Sequence, residues 1–404
     1  MDAAARMEVI RELCSFEGRL AGTDAERRAA NWLAKRLRDG GRRVEVEPTY
    51  VHPKFGLVHA GHCALGFAGS LAAIAQPAVG FAICLAAALS MYLDLNARFY
   101  LLRRLFFRRA SQNVVSRGSR PEAPARLLLC AHYDAARTGA FFRPRTIARF
   151  TRLARISPVP FGPFRPLFWS LAVLLPILGA RMAGIDSGAI SLLQLPPTLI
   201  LLVGAFALTD VELSDVVPGA NDNASGVATA LSLAEELDAD PPENLDVWIV
   251  LPGAEECLME GMRAFVRTCG KELERAATYF LNLDSVGRGD IRYVTSEGLA
   301  VSFAMDRRLV ELCRAIATAD HEHDGRFAAE PLAWGFAGDG LPIRLAKFPV
   351  TTITTLQPGA LFAANYHRPE DVPERLDAAA LDRAHGFTLE LVRALDRDVG
   401  RRLG

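Results

Sequence analysis

Seven side chains in this sequence have the types that hold metal ions or move protons: His132, Asp134, Asp222, Glu255, Glu256, Asp284 and His367. His132, Asp134, Glu255, Glu256 and Asp284 come just after apolar, strand-like runs. Asp222 lies in the loop Pro218-Gly219-Ala220-Asn221-Asp222-Asn223-Ala224-Ser225-Gly226, which leads into a helical pattern, and His367 follows later in Asn365-Tyr366-His367-Arg368-Pro369. Taken singly, an Asp in such a loop is most often a turn or cap residue. Together, two imidazoles and five carboxylates suit zinc or another first-row divalent ion, with no soft ligand that would demand copper. One Asp could bridge two ions about 3.5–4 Å apart, an arrangement that activates water and stabilises a tetrahedral intermediate. In an adjacent pair such as Glu255-Glu256, one carboxylate can bind metal while its neighbour stays free to carry protons.

Strands and helices must alternate to bring these loops together. Residues 3–14 and 24–39 read as amphipathic helices, the second capped by Thr23 or Asp24 and stopped at Gly40-Gly41. Strand patterns follow at 43–47, 113–115, 126–131, 245–251, 277–283 and 350–355, and helices at 227–237, 261–271, 307–319 and 378–396. This alternation implies an α/β fold with a mostly parallel central sheet and helices on both faces. Sites in such folds form at the carboxyl ends of the strands, where five of the seven residues lie.

Two apolar insertions interrupt the pattern. Residues 57–75 and 78–93 contain no Asp, Glu, Lys or Arg and are joined at Gln76-Pro77. A nineteen-residue helix is roughly 28 Å long, close to the ~30 Å hydrocarbon core of a bilayer. The second insertion has apolar runs at 167–180 and 189–208, and Pro196-Pro197 should kink or break the last of them. About four inserted transmembrane helices are therefore expected, as two hairpins. The division is a single domain with core segments 1–54, 111–140 and 210–404, hairpin insert 55–110 and hairpin insert 141–209. Residues 98–109, with Arg among Phe, Tyr and Leu, suit a helix lying at a headgroup surface.

Charge orients the hairpins. Residues 98–165 hold fifteen Arg against Glu122 and Asp134, so this stretch is about +13 in a chain of net charge +0. Arginine-rich bases and uncharged tips place the bases, and with them the soluble domain, in the cytoplasm of a multi-pass protein of a bacterial-type inner membrane. Balanced overall charge gives no reason to expect a nucleic-acid partner. The seven Cys lack any Cys-x-x-Cys pair and fit a reducing compartment, and the first residues show no cleavable leader. His321-Glu322-His323 lies in a charged loop and reads as solvated surface, His59 and His62 as packing or interfacial residues, and Cys130 and Cys257 as packing residues.

His132-Tyr133-Asp134, the block Gly219 to Gly226, Glu255-Glu256, Asn282-Leu283-Asp284-Ser285-Val286-Gly287 and Tyr366-His367 resemble, in order and placement, the motifs of the M28 family of co-catalytic zinc aminopeptidases and carboxypeptidases. The resemblance spans about residues 5–50 and 111–395, less the second insert. It implies a zinc-exopeptidase-like fold, two zinc ions and a peptide substrate. It also implies that Asp222 is shared by both ions, with His132 and Asp284 on one and Glu256 and His367 on the other. Glu255 would be the general base and Asp134 the residue that orients His132. Two features depart from the family pattern. The interval from His132 to Asp222 is long, and Gly338-Asp339-Gly340 stands where many relatives have Ser-Asp-His.

Overall fold

The computed structural model describes residues 1–323 and 325–403. Helices α1 (Ala3–Ser15) and α2 (Asp24–Asp39) lead into strand β1 (Val44–Val51). Thr23 caps α2, its hydroxyl accepting from the Glu26 N–H at 3.2 Å. The helix buries Ala29, Ala30, Leu33 and Leu37 at the three-to-four spacing, each leucine contributing about 1.5–3 kcal/mol. Next come α3 (Phe55–Ala75), α4 (Pro77–Leu95), β2 (Arg109–Ser116), β3 (Ala125–Cys130), α5 (Pro144–Ile156), α6 (Phe164–Met182) and α7 (Gly188–Leu213). Beyond them lie α8 (Ser225–Ala239), β4 (Leu245–Leu251), α9 (Glu260–Thr268), β5 (Thr278–Leu283), β6 (Asp290–Glu297), β7 (Phe303–Ala304), α10 (Arg307–Glu322), β8 (Glu330–Ala333), α11 (Gly340–Leu345), β9 (Val350–Leu356) and α12 (Ala378–Leu403).

The strands form one sheet in the order β1-β2-β4-β3-β5-β9-β6-β7, with β8 on β6. Its centre, β4-β3-β5-β9, is parallel as expected. The flanks are antiparallel, through β1–β2, β2–β4 and β9–β6, so the whole sheet is mixed. Strands β4 and β5 are buried throughout and β3 at all but Arg126, which is why they read as largely apolar runs. The large core joins these strands to α1, α2, α8, α10 and α12.

Four helices, α3, α4, α6 and α7, are long and apolar enough to cross a membrane. They pack on one another through a second core that also takes in Met259, Leu299, Ala300 and Leu341. Close approach depends on small residues. A Cβ on Gly80 would sit 2.4 Å from the Gly69 carbonyl, and one on Gly66 would sit 2.3 Å from Leu171. Large apolar side chains, among them Leu71, Ile74, Leu89, Leu192, Leu193, Val203 and Phe206, stay exposed on the outer faces. Buried Glu212 ties the two hairpins at their base, accepting from the Gly56 N–H at 3.1 Å and from Lys54 Nζ at 3.1 Å.

Two local expectations fail. Residues 98–109 do not form a surface helix. They make one short turn, Leu102–Leu105, before β2, because Arg103 folds inward to pair with Asp94 and Glu260. The exposed basic helix is instead α5, which has no buried residue. Pro196 and Pro197 do not break α7, which runs on to Leu213. The prolines remove two backbone donors, and neighbouring helices hold this stretch in place: the Gln194 side chain donates to the Ser70 carbonyl at 2.6 Å and accepts from Arg181 Nε at 2.8 Å.

Candidate metal centre

The sheet places His132 just beyond β3, Glu255 and Glu256 beyond β4, and Asp284 directly after β5. The loop before α8 brings Asp222 to the same end, and the segment after β9 brings His367. Three sets of ligand atoms each lie within 4.8 Å of one another: His132, Asp222 and Asp284; Asp222, Glu256 and His367; and His132, Glu255 and Glu256. Asp222 belongs to two sets and faces an imidazole on each side. Its Oδ1 is 3.4 Å from His132 Nε2, and its Oδ2 is 3.3 Å from His367 Nε2. His367 Nε2 is also 3.3 Å from Glu256 Oε2. Six of the seven predicted residues are thus brought together, and Asp134 lies beside His132.

A network of buried acceptors fixes the loops. Asp134 accepts from the Glu255 N–H at 3.0 Å and the Glu256 N–H at 3.1 Å, and its Oδ1 lies 3.5 Å from His132 Nδ1. Asp371, absent from the predicted set, does the same for the central ligand, accepting from the Asn221 N–H at 2.8 Å and the Asp222 N–H at 3.1 Å. The only sequence signal for it was its position four residues after His367. The polar block around Asp222 also clasps the Asp284 loop. Asn223 Oδ1 accepts from the Ser285 N–H, Ser225 Oγ from the Val286 N–H, and Asn221 Oδ1 from the Gly287 N–H. Gly226 must be glycine, since a Cβ there would meet Asn223 Oδ1 at 2.3 Å. Gly219 adopts φ +65° at the start of the loop, where buried Arg19 donates to its carbonyl at 2.7 Å.

Electrostatics set the character of the site. Burial raises the Glu256 carboxyl, and Asp284 is pushed up to about 7 by burial and by the nearby Asp222 charge. Burial opposes ionisation of Asp222 too, but hydrogen bonds to His132 and His367 outweigh it and hold this carboxyl below its usual range. Burial works against protonation of His367, yet Glu256 and Asp222 win and push it up to about 10. Glu297 and Asp339 are both fully buried near Asp284, and neither carboxylate oxygen of Asp339 has a hydrogen-bond partner among the described residues. Glu256 Oε1 is another buried oxygen without a partner among them. So many buried acidic groups with two imidazoles as their cationic neighbours form a donor set that fits divalent cations.

The walls are aromatic. Tyr366 stacks on His367 with ring centroids 3.9 Å apart, and Phe142, from the second insert, packs on its ring at 4.6 Å. This insert therefore reaches the site. Gly338, in the segment that departs from the family pattern, lets the chain pass close to a ligand, since a Cβ there would lie 2.9 Å from Asp284 Oδ2. His321 and His323 are exposed and outside the cluster, and Cys130 and Cys257 are buried beside it.

Residues 205–392 match the family model described as peptidase family M28. Among solved structures, a zinc aminopeptidase from Bacillus subtilis superposes with TM-score 0.57 at 14% identity, covering 97% of this chain and 94% of that one. A Zn-dependent exopeptidase from Parabacteroides distasonis gives TM-score 0.54 at 15% identity, covering 97% and 99%. A glutaminyl cyclase from Bacteroides thetaiotaomicron, bound to N-acetylhistamine, gives 0.55 at 15% identity, covering 97% of each chain. At these identities the likeness concerns the fold, that of the zinc exopeptidases. No curated protein matches the sequence.

Proposed function

From the match of residues 205–392 to the peptidase family M28 model, we propose a membrane-anchored dizinc metallopeptidase, an aminopeptidase acting on short peptides. The observation that carries this reading is the placement of Asp222 between two ligand sets, one with His132 and Asp284 and one with Glu256 and His367. Asp222 would bridge two zinc ions. Bound there, the ions would polarise the scissile carbonyl and make water acidic enough to lose a proton near neutral pH.

Glu255 is suited to the proton transfers. Its partner Glu256 is engaged with His367, whereas Glu255 is only partly buried and its side chain has no hydrogen bond among the described residues. Burial and the charges of Glu256, Asp339 and Asp284 raise its carboxyl well above the usual range, against the pull of His132. Glu255 takes the proton of the attacking water as oxygen bonds to the carbonyl carbon, and returns it to the amine nitrogen as the C–N bond breaks. Asp134 positions this base by holding its backbone N–H, and orients His132. The four apolar helices would anchor the domain as two hairpins with the site on the cytoplasmic side.

The cyclases among the fold neighbours support a second reading, acyl transfer within a substrate bearing N-terminal glutamine. A panel of aminoacyl and dipeptide substrates, with N-terminal glutaminyl peptides, separates the two when offered to the detergent-solubilised full chain. The peptidase reading predicts release of free amino acid and a loss of about 10²- to 10⁴-fold in Glu255→Gln. Metal-loaded protein with no hydrolysis above the Glu255→Gln background would sink it.

A further inference from the structure

A second charged cavity, of about 350 Å³, lies at the base of the first hairpin, away from the metal centre. Arg104, Arg108, Arg263 and Arg267 line it together with Tyr100 and His52. It sits where the chain leaves β1 for α3 and returns from α4 towards β2. None of the four arginines has a carboxylate within 4.0 Å among the described residues. The acidic lining residue, Glu260, is already committed. Its Oε1 accepts from Arg103 Nη1 at 2.6 Å, and its Oε2 accepts from the His52 N–H at 2.9 Å. Asp94, the other nearby carboxylate, is paired with Arg103 as well.

Three of the four arginines are held in place before any ligand arrives. Arg263 stacks on Tyr100 at 4.0 Å, Arg104 on Phe99 at 4.1 Å and Arg108 on Tyr50 at 5.7 Å. Arg263 is half-buried, and its buried Nη1 has no hydrogen-bond acceptor among the described residues. A guanidinium stays protonated even when burial disfavours it, so the cavity concentrates positive charge and unused donors. Leaving a buried donor unpaired is costly, and so is gathering like charges, and one anion would relieve both. Around the cavity Tyr50, Leu105 and Phe107 are exposed, an apolar and aromatic rim of the kind found at a headgroup layer.

We propose that this cavity binds a phosphate-bearing anion, with Arg104, Arg108, Arg263 and Arg267 as the donors. Planar guanidinium forks match phosphate oxygens, and four positive charges suit a doubly charged phosphomonoester better than a single carboxylate. A lipid headgroup and a soluble phosphate share this chemistry. The inference stands independently of peptidase activity, because no metal ligand takes part.

The test is a binding titration of the solubilised full chain with inorganic phosphate, a short-chain phosphatidic acid and phosphatidylcholine of the same chain length. Phosphatidic acid is expected to bind, and phosphatidylcholine, whose choline offsets its phosphate, far more weakly. Inorganic phosphate that competes with phosphatidic acid identifies a soluble ligand, while failure to compete identifies the headgroup. Arg263→Gln and the double variant R104Q/R267Q should each weaken binding about tenfold or more. Arg104 and Arg267 are exposed, so the double variant tests the site even if Arg263→Gln folds poorly. Absence of anion binding, equal binding of phosphatidylcholine, or binding unchanged in the double variant (as it would be at the metal centre) overturns the proposal.

Discussion

The end of the sheet and the base of the first hairpin gather charge of opposite sign by different means. At the sheet end, carboxylates from separate loops converge on two imidazoles and are fixed by backbone N–H donors, as Asp134 and Asp371 show. At the hairpin base, the carboxylates Asp94 and Glu260 are used up by Arg103, and Arg104, Arg108 and Arg263 rest on aromatic rings. Backbone-anchored ligands are rigid, which suits ions that demand fixed geometry. Stacked guanidinium groups on long stems are adjustable, which suits a larger anion. The difference lies in how each charge is held in place, and it can be perturbed separately at each site.

The largest effect expected from disturbing the anchoring comes from Asp371→Asn and Asp134→Asn. Each removes a charged acceptor from behind a ligand loop while leaving the ligands themselves intact. Zinc affinity or kcat should fall about 10- to 100-fold, with phosphate binding at the hairpin base unchanged. Metal affinity and kcat both within a factor of two of the natural protein would show that the anchors are ornamental.

A smaller effect concerns pH. In metal-free protein, Glu26 is pushed up to about 8 from 4.5 by burial, and Asp284 and Asp371 to about 7 from 3.8. These groups bind protons more tightly when folded, so their effect on stability worsens as pH rises through that window. His367, raised to about 10 from 6.5, contributes stability present in full below its unfolded value and lost as pH climbs towards 10. Both contributions have the same sign. Denaturant midpoints of chelated protein should therefore fall between about pH 5 and pH 8, and zinc should flatten the curve. A midpoint that rises over this range without metal would contradict the assignment of buried acidic groups.

The metal-site constellation was legible because strand ends are punctuated in sequence. Apolar runs such as Leu127–Cys130 and Leu245–Leu251 stop just before polar residues, and their order, with the resemblance to the family's motifs, grouped His132, Asp222, Glu255, Glu256, Asp284 and His367. The anchors were less visible. Asp371 and Arg19 lie far along the chain from the loops they hold, and nothing in local spacing marks an acceptor aimed at backbone N–H groups or a donor aimed at backbone carbonyls. Residues 98–109 misled for a related reason. Their amphipathic composition suits a surface helix, but the pairing of Arg103 with Asp94 and Glu260 pulls the segment inward. Long-range pairing of charges leaves no local periodicity to read. The same holds for β6, β7 and β8, short or partly exposed strands outside the parallel centre.

The central claim is two ions on one bridging carboxylate, working with a free glutamate. It is tested most directly by titrating zinc into chelated, solubilised full chain while following metal bound per chain and hydrolysis of an aminoacyl substrate. The account predicts that activity saturates at two equivalents, and that Glu255→Gln binds the same two equivalents without turnover. Saturation at one equivalent, or turnover retained by Glu255→Gln, would contradict it.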